Sequence, residues 1–126
     1  ISMNPLLREG DLVLIEKIEN EVQEGDILLF KDSISGEFIS HRVIQRNPLL
    51  TKGDWAIQSD LVKREEVFAR VIGFSRNDKL YHFRKGVLFK LYCLISKNLT
   101  SPIKILRQFL RVLLIMISPF LFFRAA

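Results

Sequence analysis

The sequence predicts a small, mostly β domain, a coiled or barrel-like sheet, followed by a C-terminal amphipathic helical membrane anchor. Three observations predict it. Short apolar, β-branched runs recur after Gly-Asp dipeptides, at Gly10-Asp11, Gly25-Asp26 and Gly53-Asp54. From Lys85 the apolar spacing changes from period two to a helical period. The charge divides at nearly the same place: residues 1–78 hold all fourteen acids and ten Lys/Arg, net −4, and residues 79–126 hold nine Lys/Arg and no acid.

In chain order, Leu12 to Glu16 and Ile27 to Lys31 each read as a strand started by a Gly-Asp turn. Asp32-Ser33-Ile34-Ser35-Gly36 reads as a hairpin connection into a third strand over 37–46, with Phe38, Ser40, Arg42 and Ile44 on one face and Ile39, His41 and Val43 on the other. Asn47-Pro48 breaks the pattern, residues 49–52 resume it, and Gly53-Asp54 leads into Trp55 to Asp60. Val67 to Phe74 supplies a further strand, and Lys79 to Phe83 can add another. A sheet of about six such strands removes its edges by curling toward closure.

The tail begins with a helix in which Val87, Leu88, Leu91, Leu94 and Ile95 keep helical spacing. Asn98 to Pro102 interrupts it, and a second helix is expected from Ser101-Pro102, with Ile103, Leu106, Leu110, Leu113 and Ile117 on one stripe. Val112 to Phe123 is apolar all round but contains Pro119 and falls short of the ~20 residues a spanning helix needs. The pattern therefore predicts a monotopic or partly inserted anchor over residues 85–126, with membrane lipid as partner, and a β domain over residues 1–84. Nucleic acid is not expected, because the tail's cations alternate with long aliphatic and aromatic side chains.

Composition narrows the chemistry. One cysteine, Cys93 in an apolar run, excludes a disulfide framework, and two distant histidines give no metal site, so no cofactor or metal is expected. His82 reads as a half-exposed strand or helix-entry residue. Ser2 stands ahead of Met3-Asn4-Pro5, where Pro5 stiffens the chain around a hydroxyl. The chain opens at Ile1 rather than Met, so upstream residues or an unusual initiation codon are expected.

Four pieces occur in order: Ser2-Met3-x-Pro5, Gly25-Asp26-Ile27-x-x-Phe30, Ser40-His41-Arg42-Val43, and Lys52-Gly53-Asp54 with Asp60. Together they resemble the type I signal peptidase family, in its serine-histidine subclass found in the endoplasmic reticulum, archaea and sporulating bacteria. The match spans residues 1 to about 75. The resemblance implies a sheet of the signal peptidase and LexA-like type and a membrane-bound endopeptidase that cuts signal or leader peptides after small residues. It implies Ser2 as nucleophile, His41 as base and an aspartate orienting the imidazole. Asp60 is assigned that role, and Asp54 a supporting turn or contact; on one continuous strand the two would lie ~20 Å apart, so both reach His41 only if the segment turns back. Met3 and Pro5 are the substrate-lining candidates. A serine needs a base with a pKa near neutrality, and histidine supplies one.

The chain departs from the family in having no membrane helix ahead of Ser2 and in Trp55, where an asparagine-rich stretch is common. The family pattern places the site outside the cytoplasm; a basic tail on the inner leaflet would instead fit leader cleavage inside the cell. Two other functions stay open: a catalytically silent peptide-binding β module, and a LexA-like self-cleaving regulator. The latter calls for a lysine base and often an Ala-Gly pair, which the chain lacks.

Overall fold

A computed structural model describes residues 3–100 and 102–125. They form eight strands, β1 (Leu12–Glu16), β2 (Ile27–Lys31), β3 (Phe38–Gln45), β4 (Leu50–Lys52), β5 (Ser59–Leu61), β6 (Val67–Arg76), β7 (Lys79–Phe83) and β8 (Phe122–Arg124), with helices α1 (Val87–Lys97) and α2 (Lys104–Ile117). All strand pairings are antiparallel, in the order β5-β4-β3-β2-β6-β7-β8, with β1 also on β6. Val71 pairs with both Ile15 and Ile27, and Gly73 with both Leu14 and His82, so β1 follows one edge of β6 while β2 and β7 share the other. The sheet curls into a half-barrel around that long strand.

The two Gly-Asp turns ahead of β1 and β2 are built alike. Gly10 and Gly25 take φ of +89° and +93°, a region that only a residue without Cβ enters cheaply. Each following aspartate accepts from the amide three residues back, Arg8 to Asp11 and Gln23 to Asp26. Each then pairs with an arginine of β6: Arg76 Nη2 lies 2.7 Å from Asp11, and Arg70 Nε 3.1 Å from Asp26. Gly53-Asp54 is different, because its carboxylate points to Arg42.

β2 is apolar without alternation because both its faces are covered. Ile27 and Leu29 pack with Met3, Leu6, Val71 and Phe74, whereas Leu28 and Phe30 pack on the opposite face with Val22, Val43, Leu49 and Val62. The first cluster also takes Tyr92, Ile95, Leu99, Leu114 and Leu121 from the C-terminal segment. Leu99, Leu114 and Leu121 are fully buried, each worth about 2 kcal/mol of transfer free energy.

This changes the reading of residues 85–126. Expected as an appended anchor, the segment shares the sheet's core, and its end is not helical. α2 stops at Ile117, Ser118–Phe120 makes a single 3-10 turn around Pro119, and Phe122–Arg124 pairs with β7 as β8. Pro119 supplies no N–H to continue the helix, and the aromatic run that follows suits a strand. α2 also begins later than expected, at Lys104, with Pro102 ahead of it and Ser101 outside the described residues. No helix among the described residues is long and apolar enough to cross a membrane.

Candidate functional site

The site residues are sorted by strand register. Across β3, β4 and β5, Val43 pairs with Thr51 and Thr51 with Asp60, while Arg42 pairs with Lys52 and Lys52 with Ser59. Antiparallel partners point to the same face and neighbours along a strand to opposite faces. His41, two residues before Val43, therefore shares a face with Asp60, and Arg42 faces the other way with Lys52. Asp54, two residues after Lys52, falls on Arg42's side. The short turn at residues 53–58 reverses the chain between β4 and β5, which brings Asp60 back toward His41.

The contacts follow this division. His41 Nδ1 lies 3.3 Å from Asp60 Oδ2, the imidazole buried and the carboxylate side chain 58% exposed. The ring meets Phe30 edge-on at 5.8 Å between centroids. Burial pushes the His41 pKa below its usual value, and the negative charges of Asp60 and then Asp54 oppose that shift without cancelling it. The imidazole is thus neutral near pH 7, with one nitrogen turned toward a carboxylate. At 3.3 Å the contact is longer than a tight charge-assisted hydrogen bond.

On the opposite face Arg42 and Asp54 make a two-pronged ion pair, with Nε to Oδ1 and Nη2 to Oδ2 both 2.8 Å, and both residues are fully buried. Ser96 of α1 donates to Asp54 Oδ1 at 2.8 Å, and Arg42 Nη1 donates to the Gly25 carbonyl at 2.8 Å. Phe89 and Tyr92 stack on the guanidinium, about 5.2 and 5.3 Å from its carbon. Burial works against the arginine's charge, but Asp54 more than offsets it and raises its pKa. Lys52, also buried, donates to the Gly53 and Ala56 carbonyls at 2.7 Å each and so closes the turn. Burial lowers its pKa to about 8. The group holds β3, the 53–56 turn and α1 together.

A cleft of about 280 Å³ lies at the start of β3, lined by apolar Met3, Leu7, Val13, Phe38 and Ile39 together with Ser40 and the charged Arg8, Glu9 and Asp11; His41 and Asp60 are not among its lining residues. Two strand edges border it. Among the described residues β1 pairs only with β6, and β3 pairs with β2 from Phe38 but with β4 only from Arg42, opposite the last residue of β4, so residues 38–40 are uncovered on their outer edge. An extended peptide could add to such edges by backbone hydrogen bonds. Met3 lines this cleft and at the same time belongs to the core, only 4% exposed. Pro5 sits in the turn closed by the Leu7 amide on the Met3 carbonyl and does not line the cleft. Ser2 lies outside the described residues.

Of the expected residues, the structure brings His41 and Asp60 together, puts Met3 at the cleft by the start of β3, and separates Asp54 to the far face. Sequence reasoning missed Ser96 and the structural weight of Arg42 and Lys52. The one available signal for Ser96 was a hydroxyl on the inward stripe of an otherwise apolar helix. Cys93, in its apolar run, is half-buried beside Arg42 Nη1 at 3.3 Å, and burial raises its pKa. His82 sits half-buried in β7. No family model, no curated protein and no solved structure matches this chain.

Proposed function

We propose that the protein is a membrane-associated serine endopeptidase that cleaves signal or leader peptides after small residues, acting outside the cytoplasm. Ser2 attacks the scissile carbonyl while His41 takes its proton. The tetrahedral intermediate collapses as His41 returns that proton to the leaving amine, and water then hydrolyses the acyl-serine by the same route. Asp60 orients the imidazole through Nδ1, so that Nε2 exchanges the proton. The Ser2 amide is a candidate donor to the oxyanion.

The observation that carries this reading is the His41–Asp60 contact, 3.3 Å between Nδ1 and Oδ2, on a buried imidazole whose pKa burial lowers. Two things support it further: the order of the four motifs, and a cleft with open strand edges at residues 38–40, on the strand that carries His41. Asp54 is a scaffold residue here, since its carboxylate is occupied by Arg42 and Ser96.

The test is cleavage of a precursor peptide with small residues ahead of the cut, in membranes carrying wild type, Ser2→Ala or His41→Ala. Each variant is expected to lose at least about 100-fold in rate. Processing that persists in both overturns the peptidase and favours a silent peptide-binding module.

A further inference from the structure

Both C-terminal helices carry two apolar stripes, and only one of each is used by the fold. At about 100° per residue, Ile105, Phe109, Val112 and Met116 of α2 fall within a ~60° arc. All four are more than half exposed, directly opposite the fully buried Leu114. This is a different stripe from the one expected in the sequence, which the fold turns largely inward at Leu110, Leu113 and Ile117. α1 repeats the design: Val87, Leu91 and Leu94 share an exposed arc opposite the buried Ser96. Each arc is flanked on one side by lysine, Lys90 and Lys97 on α1 and the single Lys104 on α2, all exposed, with Lys97 also 3.5 Å from Glu24.

We propose that these two outward arcs dock flat on an anionic lipid surface, with the apolar side chains at the acyl boundary and the lysines among the headgroups. The proposal rests on the membrane-associated part of the reading above and not on its chemistry. Charge complementarity selects the occupant, because residues 79–126 carry nine Lys/Arg and no acid. A second exposed apolar cluster is unlike it: Ile34, Phe38 and Phe68 line a hollow with Asp32, Glu65 and Glu66 against the one cation Lys31, a net negative rim that an anionic surface repels. Length sets the orientation. The fourteen residues of α2 reach about 21 Å, short of a ~30 Å hydrocarbon core, so the helix lies in the interface plane and its lysine stems extend toward the headgroups.

The experiment is sedimentation of the full chain with vesicles of phosphatidylcholine alone, or with phosphatidylglycerol replacing part of it. Wild type is expected to bind the anionic vesicles and to release with salt. Phe109→Asp with Val112→Asp is expected to abolish binding while circular dichroism and thermal unfolding stay as in wild type. Lys90→Gln and Lys97→Gln each weaken it about fivefold, and Phe68→Asp leaves it unchanged. Wild type that ignores anionic vesicles, or the double aspartate variant binding like wild type, overturns the proposal. So does wild type that self-associates through these arcs without lipid while failing to bind vesicles, which would assign the face to a second copy. Ser2→Ala must bind vesicles like wild type: loss of processing with intact binding separates the chemistry from the docking.

Discussion

His41 and Arg42 are neighbours on one strand, each opposed to an aspartate, and they have opposite fates. Arg42 meets Asp54 where both are fully buried, and the pair's remaining groups are occupied by Ser96 and the Gly25 carbonyl. His41 meets Asp60 at a single longer contact with the carboxylate mostly in water. The first pair is closed. The second contains an imidazole that burial pushes toward its neutral form, with its partner open to water. The alternation of a strand is enough to set a structural ion pair and a titratable pair back to back, one side chain apart.

The largest effect should come from breaking the closed face. Arg42→Ala or Asp54→Ala leaves an uncompensated charge in the core, and each is expected to cost about 3–5 kcal/mol in urea unfolding. The double variant should cost less than the sum of the two, because neither charge is then stranded. Equal additivity would mean that the two side chains are held independently. Loss of cleavage in these variants should track unfolded protein, which distinguishes them from His41→Ala.

Ser96→Ala tests a smaller piece of the same network. It removes one hydrogen bond to a buried carboxylate, about 2 kcal/mol, and should lower the unfolding midpoint without moving the pH dependence of cleavage. A neutral result would mean that Asp54 needs only Arg42.

This division also explains what the sequence made legible. Strand positions through residue 83 followed from short apolar or alternating runs and Gly-Asp turns, and the face of His41 from counting residues along β3. Asp60 and Asp54 could not be separated by spacing alone, because the answer depends on the register between β4 and β5 and on the turn that Lys52 closes. The C-terminal segment misled for a related reason. Apolar content and positive charge suit both a lipid surface and a core, and only the pairing of Phe122–Arg124 with β7 shows that part of it completes the sheet. Ser96 gave little warning, since one serine in a helix is ordinarily solvated.

The smallest effect concerns Asp60 and sharpens the open face. With its side chain 58% exposed, Asp60→Asn should change stability at pH 7 by less than about 1 kcal/mol. Its effect on pH dependence should be clear in sign. Asp60 is the main charge opposing the burial that lowers the His41 pKa, so removing it lowers that pKa further. The acid limb of the cleavage profile should then move to lower pH, with His41 followed directly by NMR titration. Stability follows from linkage. An imidazole that titrates lower when folded than unfolded binds fewer protons in the native state, so its contribution is complete above about pH 6.5 and is lost as pH falls through the folded value. In Asp60→Asn that loss continues to lower pH than in wild type, and the difference vanishes in a His41→Gln background. An acid limb that stays in place, or moves upward, would show that the carboxylate beside Nδ1 does not govern this histidine's charge.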